Sequence, residues 1–204
     1  MTRVILIRHG KTCWNQSHRI QGGSNDTVLD EEGERQCRCL AERFKNEKIV
    51  AVYSSPMYRA MGTAKAIADS HNLEVIQEKA FREMNCGTLE GAETRDIGSR
   101  LQKLIKGGTE DELLFKSCGG ESCDQLQNRV LTAILEKVEK HQHGTIVVVS
   151  HYFVIASILC ASVGIPATQL GRFRFGEASI SIINFDSYGP FLSLFNDCCH
   201  LTPS

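Results

Sequence analysis

The sequence predicts an α/β fold with a mostly parallel central sheet and helices on both of its faces. Three observations carry that prediction. Residues 4–7 form an unbroken, largely β-branched aliphatic run, the pattern of a strand covered on both faces. Residues 145–149 repeat it late in the chain. Around these runs, strand-like and helix-like stretches alternate, as they do in βαβ units. At 204 residues the chain is long enough for one well-buried core, so one domain over residues 1–204 is expected.

The first strand ends in Arg8-His9-Gly10. The glycine permits a tight turn, so a cation and an imidazole emerge together at the carboxyl end of a central strand, where open α/β sheets keep their ligand sites. A polar loop over residues 13–30 follows, carrying Trp14, Asn15, His18, Arg19 and Gln21-Gly22-Gly23. Asp30 is placed to cap a helix reaching Asn46, with Cys37, Leu40, Ala41 and Phe44 as its apolar face. Residues 49–53 form a second strand. Ser55 as N-cap and Pro56 at the first helical position then open a helix to His71 that buries Ala60, Ala64, Ile67 and Ala68. Arg59 falls in its first turn, where a cation suits the helix dipole only if an anion lies beside it.

Residues 73–76 read as an edge strand and residues 78–93 as a loop holding Phe81, Glu83, Gly87, Glu90 and Gly91. A short helix over 94–105 precedes the Gly107-Gly108 break. Ser122-Cys-Asp-Gln125 is a capping box. The helix behind it carries Leu126, Val130, Ile134 and Val138, broadened by Leu131 and Leu135. After the strand at 145–149 come Ser150-His151 and a helix over 152–163, apolar nearly all round and therefore well covered. Strands over 172–175, 179–185 and 191–195 close the chain, which shows no internal repeat or low-complexity tract.

Composition excludes some function classes. With 42% hydrophobic residues, 23% charged residues and a formal net charge of -1, there is no basic excess for nucleic acid or a membrane surface. No apolar run approaches the roughly 20 residues of a membrane helix. The chain enters a strand at once, without the flanks of a secretory signal, so a cytoplasmic protein is expected. Nine cysteines, at 13, 37, 39, 86, 118, 123, 160, 198 and 199, include no C-x-x-C pair. Cys37 and Cys39 face different ways on a helix, and Cys198 and Cys199 opposite sides of a strand. Free thiols of a reducing compartment, with no metal and no cofactor, are the expectation.

His9, Arg59 and His151 each follow a strand of the βα pattern, where loops gather at one sheet edge. Singly, His151 could cap a helix and Arg59 could pair with a surface carboxylate. Together with Arg8 they make a dense cationic pocket in a nearly neutral chain.

Arg8-His9-Gly10-Lys11-Thr12, Asn15, Gln21-Gly22, Ser54-Ser55-Pro56-Met57-Tyr58-Arg59-Ala60, Glu83 with Gly87 and Glu90-Gly91, Gly119-Gly120-Glu121-Ser122, and Val149-Ser150-His151 occur in the order found in histidine phosphatases. The sequence resembles that superfamily, which includes the cofactor-dependent phosphoglycerate mutases, over almost its whole length. The resemblance implies a phosphoglycerate mutase-like three-layer sandwich. It implies His9 as nucleophile, Arg8 and Arg59 as clamps on the phosphoryl oxygens, and His151 as a further donor to them. Glu83 would be the general acid and then base, and Asn15, Gln21 and Gly22 would line the substrate pocket. Glu90 is the competing acid, but its place beside Gly91 matches a structural part of the motif, so Glu83 is preferred.

The activity so implied is that of a metal-independent phosphatase of the histidine acid type. It would hydrolyse small phosphomonoesters through a phosphohistidine. The segment from Gly91 to Gly120 is short and its basic residues are offset by acids, which favours a phosphatase resembling the α-ribazole, metal-independent phosphoserine and broad-specificity groups. Mutase-type phosphoryl transfer and a catalytically silent phosphometabolite-binding relative are the alternatives. Expected partners are a small phosphorylated substrate, no nucleic acid and no membrane, with a homodimer as the assembly considered. Five positions depart from the family pattern: Lys11, Cys86, the bulky Tyr152-Phe153 and Ala178. The two rings could narrow the pocket or pack against Trp14, and packing is the favoured reading.

Overall fold

A computed structural model describes residues 1–23, 26–96, 98 and 113–202. Its centre is a six-stranded sheet of order β3-β2-β4-β1-β5-β6. The strands are β1 (Thr2–Arg8), β2 (Ile49–Ser54), β3 (Val75–Gln77), β4 (Thr145–Ser150), β5 (Ile180–Asp186) and β6 (Gly189–Asp197). The first four are mutually parallel where they pair, and β5 runs antiparallel between β1 and β6.

Alternation along the strands sends side chains to two separate cores. Val4, Leu6, Tyr53, Ile146 and Val148 pack on one face with α5 (Cys123–Lys140) and α6 (Tyr152–Ser162). Ile5, Ile7, Val52, Val147 and Val149 pack on the other with α2 (Glu31–Phe44) and α3 (Tyr58–Ser70). That is the expected three-layer α/β sandwich, and it explains why β1 and β4 are continuously apolar. Two short helices, α1 (Cys13–Gln16) and α4 (Leu113–Ser117), complete the helical set named here. Among the described residues, no helix is long and apolar enough to cross a membrane.

Local chemistry sets the helix ends. Asp30 accepts from the Gly33 amide at 2.8 Å and opens α2. The Ser122 box opens α5, with its hydroxyl accepting from Gln125 N at 3.1 Å and the Gln125 side chain accepting from Ser122 N at 3.0 Å. In α6, residues 154 to 160 are all buried, as an all-round apolar helix requires.

Several expectations need correction. The helix after β2 starts at Tyr58 with Met57 as its cap, rather than at Ser55-Pro56, and the Ser55 hydroxyl lies 2.7 Å from His151 Nε2. Within the polar loop, Thr12 and Asn15 form a reciprocal box that makes α1. Residues 172–175 are not a strand. A 3-10 segment, Ala167–Arg172, leads into irregular backbone whose Phe173 and Phe175 carbonyls accept from Tyr152 Oη and Arg8 Nη1. Leu135 lies on the outer side of α5, 54% exposed. The helix expected over 94–105 and the Gly107-Gly108 break lie largely outside the described residues.

Candidate active site

The register of β1 and β4 creates the site. Arg8 pairs with Ser150, so the next residues on both strands, His9 and His151, leave the sheet side by side. Their ring centroids lie 5.2 Å apart at 57°. Both are buried, at 3% and 0% exposure.

The two imidazoles have different hydrogen-bond environments. His9 Nδ1 lies 2.8 Å from the Gly10 carbonyl. A carbonyl only accepts, so this assigns the proton to Nδ1 and leaves the Nε2 lone pair free. Burial, then the charges of Arg59 and Arg8, hold the ring well below the usual imidazole range, which keeps it neutral. On His151, Nε2 lies 2.7 Å from Ser55 Oγ. That hydroxyl accepts from Met57 N at 3.4 Å; when it donates to the ring, the His151 proton lies on Nδ1. Nδ1 is buried with no partner among the described residues, the kind of orphan that a bound oxyanion would satisfy. Burial, followed by Arg59, His9, Arg8 and Arg129, also pushes His151 well below its usual range.

Two guanidiniums converge with these rings. Arg8 donates to the Phe175 carbonyl at 2.6 Å, faces Glu177 at 3.4 Å and lies 5.7 Å from the Tyr152 ring centroid. Its Nε is buried and has no partner among the described residues. Arg59 is fully buried in the first turn of α3 and donates to the Gly22 carbonyl at 3.0 Å. Burial lowers its pKa to about 10, against the raising effects of Glu83, Asp26 and Glu90. It therefore remains cationic near neutrality.

Glu83 is 8% exposed. Its carboxylate oxygens accept from Met84 N at 2.8 Å and Phe153 N at 3.4 Å. Burial raises its pKa despite those bonds and despite Arg59 and Arg8, favouring a protonated carboxyl that can act as an acid. Glu90 is different in kind. Its Oε1 accepts from Gly23 N at 3.0 Å and Cys86 N at 3.1 Å, so it braces the loop around Gly22.

A cavity of about 190 Å³ brings most of the expected site residues together: Arg8, His9, Asn15, Gln21, Gly22, Arg59 and Glu83 are on its wall. His151 is near, but not on that wall. Asn15 Oδ1 accepts from Thr12 N and Thr12 Oγ1, and Gln21 Oε1 accepts from Thr27 Oγ1. Both amides thereby keep their NH2 groups as donors. Gly22 has φ +59°, and an added Cβ would sit 2.2 Å from Glu90 Oε1.

Tyr152 and Phe153 line the cavity and meet Phe175 and Phe115 edge-on at 5.4 and 5.7 Å, respectively. The ring of Trp14 instead lies by Gly91. Lys11 is not on the wall. Ala178, at φ +56°, donates its amide to the His9 carbonyl at 3.1 Å. Sequence reasoning missed Ser55 as the partner of His151, and Arg19, Ile20, Thr94 and Phe115 as lining residues. The dipeptide before Pro56 signalled a cap, and nothing local points across the 96 positions to His151.

Glu83 also borders a wider cleft of about 610 Å³ with Lys79, Arg82, Glu121 and Arg129. That cleft contains neither histidine, so the smaller cavity is the candidate site. Among the described residues, no three His, Cys, Asp or Glu side chains gather as metal ligands.

Comparison with known proteins places the chain in a family. Residues 4–198 match the model of the histidine phosphatase superfamily (branch 1). The chain is similar to phosphoserine phosphatase 1 of Hydrogenobacter thermophilus, with 32% identity over 201 residues, 98% of this chain and 95% of the relative. It is also 34% identical to the probable phosphoglycerate mutase GpmB of Yersinia pestis, over 95% of this chain and 89% of that protein. Its fold superposes on an Entamoeba histolytica phosphoserine phosphatase solved with phosphoserine, with a TM-score of 0.88, 30% identity and coverage of 99% and 100% of the two chains. A match to the family model along nearly its whole length makes this chain a member of the histidine phosphatase superfamily.

Proposed function

We propose that the chain hydrolyses phosphomonoesters of small metabolites through a phosphohistidine at His9, without a metal ion. The observation that carries this reading is the His9 tautomer. With Nδ1 committed to the Gly10 carbonyl at 2.8 Å, the unprotonated Nε2 is the nucleophilic atom of a neutral ring on the cavity wall.

In the first step, an Nε2–phosphorus bond forms as the ester phosphorus–oxygen bond breaks. The leaving oxygen takes the proton of Glu83. Arg8 and Arg59 stabilise charge on the non-bridging oxygens, and Nδ1–H of His151 adds a donor. Glu83, now ionised, takes a proton from the attacking water in the second step. The nitrogen–phosphorus bond breaks, inorganic phosphate leaves and both groups return to their starting states. The paired guanidiniums provide charge stabilisation that other phosphoryl-transfer sites obtain from divalent cations.

Release of nitrophenol from p-nitrophenyl phosphate in the presence of EDTA tests activity and metal independence together. Turnover is expected. Its loss on chelation and recovery with added Mg²⁺ would remove the metal-free reading, and no release under either condition would favour a silent binding protein. The substrate class is that of the phosphoserine phosphatases among the relatives, so phosphoserine heads the metabolite screen, with 3-phosphoglycerate and α-ribazole phosphate beside it. Similarity to a probable phosphoglycerate mutase favours a second reading, phosphoryl transfer back to a sugar acid. Conversion of 3-phosphoglycerate to its isomer without release of phosphate would select it. Cysteine usage supports a cytoplasmic setting for either reaction.

A further inference from the structure

Glu83 differs from the other proposed catalytic groups in its support. Arg8, His9 and His151 are at the ends of central strands and Arg59 is in a helix, but Glu83 lies in irregular backbone between the 3-10 segments Lys79–Phe81 and Gly87–Leu89. A group on such a segment keeps a reactive geometry only if the backbone around it is held.

One side chain does that from the neighbouring helix. Arg129 of α5 meets the Glu121 carboxylate with Nε at 2.6 Å and Nη2 at 2.9 Å. The same guanidinium reaches back to the catalytic segment, where Nη1 donates to the Ala80 carbonyl and Nη2 to the Glu83 carbonyl at 3.3 Å. Glu121 closes the circuit. Its amide donates to the Asn85 carbonyl at 2.8 Å, and its Oε2 accepts from Asn85 N at 3.4 Å. The pair thus touches backbone before, at and after the carboxyl. Close approach makes this attainable, since a Cβ on Gly120 would lie 2.4 Å from the Asn85 carbonyl oxygen.

We propose that Arg129, oriented by Glu121, is a positioning residue that holds the Glu83 carboxyl in line with the leaving oxygen. The planar fork is essential to this role, because a single ammonium cannot span the carboxylate and two carbonyls together. The inference rests on the reading of Glu83 as general acid.

The test measures kcat/KM, which reports only the steps through phosphorylation of the enzyme, on β-glycerophosphate and on p-nitrophenyl phosphate. The first needs its alkoxide protonated and the second does not. Arg129→Met should lose about tenfold or more on glycerophosphate and at most about twofold on nitrophenyl phosphate, as displacement of a proton donor requires. In a Glu83→Gln background the same substitution should add less than about twofold on either substrate, since a displaced donor that is already absent costs little more. Glu121→Gln, which keeps the side-chain shape, should show the same substrate split and provides the answer if Arg129→Met does not fold. Arg129→Lys should remain impaired.

Equal losses on the two substrates, full additivity with Glu83→Gln, or full recovery with lysine would each overturn the positioning role while leaving Glu83 as acid. Absence of any substrate split in Glu83→Gln itself would instead remove the acid assignment, and this inference with it.

Discussion

Two imidazoles 5.2 Å apart have different surroundings because their partners differ. A carbonyl fixes the proton of His9 on Nδ1, and the Ser55 hydroxyl, when it donates to Nε2 of His151, puts that ring's proton on Nδ1. One ring then presents a lone pair and the other an N–H donor. His9→Ala should abolish turnover, and acid-quenched native protein should carry phosphate label that this variant lacks. Retention of full activity would exclude the proposed nucleophile. Ser55→Ala frees the His151 tautomer and should lower kcat/KM by about tenfold, the rate equivalent of one hydrogen bond. Glu83 sets a pH dependence of definite sign. Its carboxyl must be protonated to donate, and burial raises its pKa above 4.5. Rate on alkyl phosphates should therefore fall as pH rises through that raised value, and Glu83→Gln should remove this alkaline limb. An unchanged limb in the variant would assign it to another group.

At the scale of elements, the parallel register of β1 with β4 matters more than any helix, since it brings Arg8-His9 and Ser150-His151 to one edge. Loops then tune what the strands present. The Gly22 carbonyl anchors Arg59 in a backbone conformation with φ +59°. Gly22→Ala should cost about 1–2 kcal/mol from the left-handed backbone alone, and more from collision with Glu90. Phosphate binding should weaken with it, measured by inorganic phosphate inhibition. Asp30→Ala is the contrasting case. It removes the cap of α2 at a residue that is not on the cavity wall and should lower stability by about 1 kcal/mol, read as a fall in melting temperature. Caps such as Asp30 and Ser122 are legible in sequence because donor and acceptor lie three residues apart. Ser55 carries the same local signature, yet its hydroxyl belongs to a partner 96 positions away.

At the scale of the whole molecule, a net charge of -1 surrounds a buried cluster of two histidines and two arginines. Such a cluster makes stability depend on pH. The folded-state pKa values of His9 and His151 lie well below 6.5, so on acidification the unfolded chain binds protons that the folded chain refuses. Stability should fall as pH drops from about 7 to about 5. A His9→Asn/His151→Asn variant should show a shallower fall in melting temperature over that range. Equal slopes would place the effect elsewhere, and bound phosphate should raise the melting temperature only where the arginine clamp is intact.

The amino-acid sequence by itself determined the apolar central strands, the caps at Asp30 and Ser122, the order of the chemical blocks and hence the superfamily. These are short-range patterns, set by side-chain period and by hydrogen bonds between near neighbours. Only the tertiary structure decided that Phe175 anchors Arg8, that Ser55 orients His151, that Tyr152 and Phe153 wall the cavity, and that Arg129 grips the Glu83 segment. Each is a meeting of side chains and backbone from distant parts of the chain. Periodicity tells which face of an element is buried, but not which atom it will meet there.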